Sequence, residues 1–187
     1  MSTGAARDVH TPLGRDEVVA AILTAAADLF AERGPTATSI RDVATRAGVN
    51  HGLIHRHFGS KDRLVGAVLD YLGQYLAELL AVDTSRATLD AAIDRQLRVI
   101  ARTTLDGYPV GELQTRFPNI AEGIERLRKH YPSDRDARFA AAHVNALQLS
   151  WRLFGGFLRA SAGLDDATDD EVAQSVAEMT RRLSLPD

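Results

Sequence analysis

The chain of 187 residues contains no cysteine. That excludes disulfides, cysteine nucleophiles and thiolate metal sites together, and it fits a reducing compartment. Lysine is nearly as scarce, with only Lys61 and Lys129 beside 20 arginines. No run of about 18 consecutive apolar residues is found, so no membrane span is expected. The opening stretch MSTGAARDVHTPLGRDE lacks the apolar centre of a secretory signal, so a cytoplasmic location is expected. Gly-rich phosphate loops, GxSxG, HExxH and carboxylate clusters at metal-ligand spacing are missing as well. An enzyme is therefore not expected, nor a catalytic residue, a metal or a cofactor. Asp165-Asp166 and Asp169-Asp170 fall in a turn and at a helix start, where the helix dipole favours acids. Strand-like alternation, internal repeats and low-complexity tracts are also lacking.

What remains is helical. At 45% apolar residues the chain can bury a core, in one sizeable domain or two small ones. Residues 1–14 carry no periodic pattern and read as a flexible arm, in which Arg7, with Arg15 just beyond it, could reach phosphates. Val18, Ile22, Ala25, Leu29 and Phe30 then recur at helical spacing, predicting a first helix over 15–33 that Gly34 and Pro35 end. A long fourth helix is expected over 61–81, on Leu64, Val68, Leu72, Tyr75, Leu76 and Leu79, and a fifth over 86–106. Gly and Pro punctuate 107–132, where short helices are expected near 110–115 and 118–130. Two regular helices close the chain, over 133–162 and 168–183.

Between the first and fourth helices lies SIRDVATRAGVNHGLIHRHFGSKDRL, Ser39 to Leu64. It reads as two short helices joined by a tight turn at Gly48, the layout of a DNA-binding helix-turn-helix. Thr38 or Ser39 caps the first short helix, with Asp42 completing a capping box; Asn50 caps the second and Ser60 the long helix after it. A recognition helix needs a small or polar N-terminal half to enter the major groove. Asn50, His51 and Gly52 suit that, and Leu53 suits a thymine methyl. Ile54 and Phe58 should face inward. His55, Arg56, His57 and Lys61 are left as donors for phosphates, and Thr38 and Ser39 could serve another phosphate at the start of their helix. His51 and His55, four apart, have metal-ligand spacing, yet no acid is placed to complete a site. Charge leans the right way but weakly: residues 1–65 carry 8 basic and 7 acidic side chains, the remainder 14 and 18.

These residues resemble the DNA-binding signature of TetR-type transcriptional repressors of bacteria. Ala47-Gly48-Val49, Gly52, His57-Phe58 and Lys61 match it, as do Ile22, Ala25, Leu29, Phe30 and Gly34 before it. Asn50-His51 stands where the family often has Ser-Lys, and His55 where it often has Tyr. Those departures point to a non-consensus operator, and to binding that weakens as pH rises through the range in which imidazole titrates. The resemblance implies an all-α fold of about nine helices. An N-terminal three-helix DNA-binding domain (15–60) would precede a helical effector-binding and dimerisation domain (61–187). It implies a homodimer on a palindromic double-stranded DNA operator, released by a small-molecule effector that moves the fourth helix.

For the rest of the chain the residues themselves offer candidates. The helix over 133–162 has two apolar faces, one of Val144, Leu147, Trp151, Phe154 and Leu158, the other of Phe139, Ala142, Ala146, Leu149, Leu153 and Phe157. One face is expected to pack inward and the other to join a partner subunit, with Gly155-Gly156 permitting close approach and Val172, Val176, Met179 and Leu183 added from the last helix. Candidate effector-pocket residues are Tyr75, Gln96, Tyr108, Phe117, Tyr131, His143 and Trp151. The alternative is a helical protein-interaction module without sequence-specific DNA binding.

Overall fold

The structure is a computed structural model describing residues 14–185. The expected flexible arm, with Arg7, lies outside the described residues apart from Gly14, which precedes the first helix. Among the described residues nine helices follow one another, without a strand. They are α1 (Arg15–Arg33), α2 (Ile40–Ala47), α3 (His51–Phe58), α4 (Lys61–Ala81), α5 (Arg86–Leu105), α6 (Val110–Leu113), α7 (Pro118–Leu127), α8 (Asp134–Ala162) and α9 (Asp169–Ser184). The all-α expectation holds. The largest departure at a helix end is α7, which stops at Leu127. The chain packs as two compact units, divided between Arg116 and Phe117.

In the first unit α1 is the central element. It buries Val18, Ile22, Ala25, Ala26, Ala27, Leu29 and Phe30, more than the single stripe expected from its larger residues. The three consecutive alanines explain the difference: a side chain of one carbon lets α2, α4 and α5 each approach α1. Val43 of α2, Ile54 of α3, Leu64, Val65 and Val68 of α4 and Val99 of α5 complete this core. The packing division therefore does not fall at 60/61: α4 and α5 are part of the body that carries the helix-turn-helix. Ion pairs add orientation. Arg46 donates to both Glu32 oxygens at 3.0 and 3.1 Å, Arg33 meets Asp42 at 3.0 Å, and Arg95 of α5 meets Asp28 of α1 at 2.8 Å. Exposed pairs of this kind contribute little free energy, but they fix rotation between helices.

Among the described residues α4 is long and apolar enough, by length and composition, to cross a membrane. The expectation of no such stretch was drawn from uninterrupted apolar runs and missed it, because Asp70 and Gln74 interrupt the run without lowering the average far. The buried residues Leu64, Val65, Val68, Leu69, Leu72 and Leu76 spend that apolarity on the unit's own interior. α4 also holds the end of the unit. Asp70 accepts hydrogen bonds from Thr115 N at 2.8 Å, Thr115 Oγ1 at 2.6 Å and Arg116 N at 2.9 Å.

The second unit buries far less. Leu127, Ala137, Ala140 and Ala141 form its buried cluster, with Ile124 and Tyr131 packed on it. The Tyr131 hydroxyl donates to Leu183 O at 2.5 Å, tying the loop before α8 to the end of α9. Neither apolar face of α8 is fully buried: Val144, Leu147, Trp151 and Leu158, like Leu149 and Leu153, are half-buried, while Phe139, Phe154 and Phe157 are 52%, 54% and 71% exposed, and Met179 of α9 is 45% exposed. Inward packing falls instead to the alanines at the N-terminal end of α8. α9 opens with a Thr168–Glu171 capping box and closes with Glu178 accepting from Arg181 and Arg182. Those two guanidinium groups, through three hydrogen bonds, hold the Glu178 carboxyl down to about 2. A carboxyl whose folded value is depressed stabilises above its ordinary value and loses that contribution as pH falls through the folded one. The melting-temperature difference between the wild type and Glu178→Gln should thus be small and constant above about pH 5, and vanish toward about pH 2. Circular dichroism melts across that range check it.

Candidate nucleic-acid interface

Three local features build the reading head. Ser39 caps α2: its hydroxyl accepts from Asp42 N at 3.1 Å while Asp42 Oδ2 accepts from Ser39 N at 2.8 Å. The hydrogen bond from Ser39 N is the largest of the effects that hold the Asp42 carboxyl below its usual range. Gly48 ends α2 in the left-handed region (φ 66°, ψ 30°), with Gly48 N donating to Thr45 O and Val49 N to Ala44 O. This is the Schellman arrangement, in which glycine avoids a Cβ penalty. Asn50 then caps α3, Oδ1 accepting from Gly52 N at 2.8 Å. A Cβ on Gly52 would lie 3.2 Å from that oxygen, so the glycine also makes room for the cap.

Ile54 is 1% exposed, and Phe58 packs partly buried on the core, as their spacing predicted. That leaves Asn50, His51 and Gly52 exposed and Leu53 half-buried at the N-terminal end of α3. A concavity of about 270 Å³ runs beside this end, lined by Arg41, Ala44, Thr45, Val49, Asn50 and His51. Arg41 and Thr45 were missed from the sequence. A signal was present: Val43 and Ala44 face inward, so Arg41 and Thr45, four apart, share the outer face of α2.

Pairing decides which positive charges are available. Arg33 and Arg46 are taken by Asp42 and Glu32. Arg41, Arg56 and Lys61 make no ion pair with any described residue. Lys61 opens α4 behind Ser60, whose hydroxyl accepts only from Arg63 N at 3.2 Å, so other first-turn N–H groups remain for an anion.

Two phosphate candidates change. Thr38 is 1% exposed and its hydroxyl donates to Gly34 O at 2.8 Å, which removes it from the surface. His55 Nδ1 lies 3.1 Å from Gly59 O. A carbonyl only accepts, so Nδ1 carries the hydrogen; Nε2 is then an acceptor in the neutral ring and a phosphate donor only in the imidazolium. His57 is half-buried against Phe58, ring centroids 6.4 Å apart. Among the described residues no group of three or more His, Cys, Asp or Glu is gathered to hold a metal.

The effector candidates are divided between the two units. Tyr75 lines a groove of about 450 Å³ between α4 and α5 with Ala87, Thr88, Ala91, Ala92 and Arg95. Gln96 is buried in α5. Tyr108 packs on the core, where burial first, then Asp62 and Asp106, pushes its phenol up; that puts it beside the start of α4 rather than in the groove. Phe117, Tyr131, His143 and Trp151 belong to the second unit, where Phe117 and His143 are exposed and Tyr131 is engaged by Leu183.

Two short capped helices joined at Gly48, the second exposed at its N-terminal end and pinned by Ile54 to a core centred on α1, are the arrangement of a helix-turn-helix DNA-binding protein. Residues 22–68 match the bacterial regulatory proteins of the TetR family. Over 175 residues the chain is 57% identical to the HTH-type transcriptional repressor Rv3405c of Mycobacterium tuberculosis, covering 94% of this chain and 93% of that one. A shorter match, 39% over 84 residues, joins 42% of the chain to 41% of the repressor KstR2 of Rhodococcus jostii. In fold it is similar to a TetR-family transcriptional regulator from Streptomyces coelicolor, with a TM-score of 0.52, 24% identity, and 91% and 97% of the two chains covered. The chain belongs to the TetR family.

Proposed function

We propose that this regulator is a repressor that binds a palindromic operator as a homodimer in the cytoplasm and is released by a small-molecule effector. Its relative Rv3405c, similar over nearly its whole length, carries the repressor name. The observation that supports DNA reading most is the exposed Asn50–Leu53 end of α3 beside the free cation Arg41. Asn50 (through Nδ2), His51, Leu53, Arg41 and Thr45 are proposed to meet bases and nearby backbone. Ser39, Arg56, His57 and Lys61 would meet phosphates, joined by His55 when protonated. Functionally, residues 15–60 form the reading head and 61–187 the effector and dimer part, although α4 and α5 pack with the former.

Dimerisation is supported by the thin interior of the second unit. Val144, Leu147, Trp151, Phe154, Gly155 and Leu158 of α8, with Val172, Val176 and Met179 of α9, would form the seam. A Cβ on Gly155 meets nothing within 4 Å, so that stretch is open to a partner helix. The effector is proposed to be largely apolar.

A gel shift on DNA upstream of its own gene tests the reading. Log affinity should fall steeply with log salt. Lys61→Ala should weaken every sequence alike and lower the salt slope by about one, whereas His51→Ala should change sequence preference.

A further inference from the structure

Asp106 occupies an odd position. It is the C-terminal cap of α5, where a negative charge opposes the helix dipole, so its place is not explained by α5 itself. Its carboxylate reaches across 70 residues instead: Oδ2 accepts from Thr36 N at 2.7 Å. The same oxygen lies 2.7 Å from where a Cβ on Gly34 would stand, and Gly34 has φ 82°. The turn between α1 and α2 is therefore shaped to admit this carboxylate. Within it Thr38 N donates to Pro35 O at 3.1 Å and the Thr38 hydroxyl to Gly34 O at 2.8 Å. The next residue, Ser39, caps α2. Asp106 thus holds, through Thr36, a hydrogen-bonded turn whose backbone runs directly into the first turn of the helix that carries Arg41 and Thr45.

We propose that Asp106 is a positioning residue for DNA binding, whose carboxylate fixes the α1–α2 turn and with it the angle at which α2 presents Arg41 and Thr45. The proposal rests on the reading of α2 and α3 as the DNA-binding surface. Asp106 touches no DNA in this account; it acts through Thr36. A charge-assisted hydrogen bond is stronger than a neutral one, and asparagine retains an acceptor oxygen in the same place. Removal and conservative replacement should therefore separate.

The experiment uses the full chain as wild type, Asp106→Ala and Asp106→Asn, with a duplex enriched from a random-sequence pool by the wild-type protein and a scrambled duplex as control. Hydrogen exchange at the Thr36 amide is followed in the same three proteins without DNA. Asp106→Ala should speed Thr36 exchange by about tenfold and weaken the enriched duplex by about tenfold, leaving the scrambled duplex almost unchanged. Asp106→Asn should recover most of both. Unchanged Thr36 exchange, wild-type affinity in Asp106→Ala, or equal weakening of both duplexes would overturn the proposal. If Asp106→Ala fails to fold, Asp106→Asn and Asp106→Glu decide: the proposal requires Asn to bind more tightly than the longer, misplaced Glu. A wild-type chain that enriches no sequence would sink the DNA-binding reading and this role with it. Faster Thr36 exchange in Asp106→Ala would then mark the contact as structural only.

Discussion

Ile54→Ala should lower the melting temperature by roughly 4–20 °C and abolish sequence-specific DNA binding. α3 has eight residues, too few to persist as an isolated helix. Its hold on the core rests on one fully buried side chain, Ile54, with Leu53 and Phe58 only partly buried around it. Truncating such a side chain loses its transfer free energy and leaves a cavity, about 2–5 kcal/mol together. A protein of this size shifts by about 2–4 °C per kcal/mol. Ile54→Val removes one methyl and should cost only about 0.5–1.5 kcal/mol, with DNA binding retained. Thermal melts and a duplex titration measure both. A wild-type melting temperature in Ile54→Ala would mean that α3 is anchored elsewhere.

Gly66→Ala should destabilise the chain by about 1–3 kcal/mol, the usual cost of overpacking. At an open helical position the same change stabilises by up to about 1 kcal/mol, because glycine is the poorer helix former. The neighbour decides the sign. A Cβ on Gly66 would stand 2.6 Å from the backbone oxygen of Leu113, and a backbone carbonyl at the end of α6 has little room to yield. Gly123 of α7 provides the contrast, since a Cβ there meets nothing within 4 Å and Gly123→Ala should be neutral or stabilising. Denaturant midpoints for the two variants should move in opposite directions. Movement in the same direction would show that α4 and α6 do not approach as closely as described.

Much of the fold was legible because its punctuation is local. Gly34, Gly48, Asn50, Gly59 and Ser60 each state a helix end through their own backbone preference or side-chain oxygen, and the structure places a cap at every one. What could not be read depends on which groups meet once the chain has folded. Thr38 looks like a surface hydroxyl until the turn folds it onto Gly34 O, and His55 looks like a free donor until Gly59 O is four residues away in space as well as in sequence. Arg41 and Arg46 are alike in the sequence, and only Glu32, fourteen residues before Arg46, separates a paired arginine from a free one. Residue type also does not say which unit an aromatic packs in: Tyr108 packs in the first and Tyr131 in the second.

The central claim is that α2 and α3 read DNA and that two copies of the chain do so together. Enrichment of a random-sequence duplex pool by the purified full-length protein, followed by sequencing, tests it most directly. The account predicts a single enriched motif made of two inverted half-sites, centred about one helical turn apart or a multiple of that. The motif should change at a matching position in each half-site when His51 is replaced by alanine. Enrichment of no motif at low salt, or of one without inverted symmetry, would contradict it.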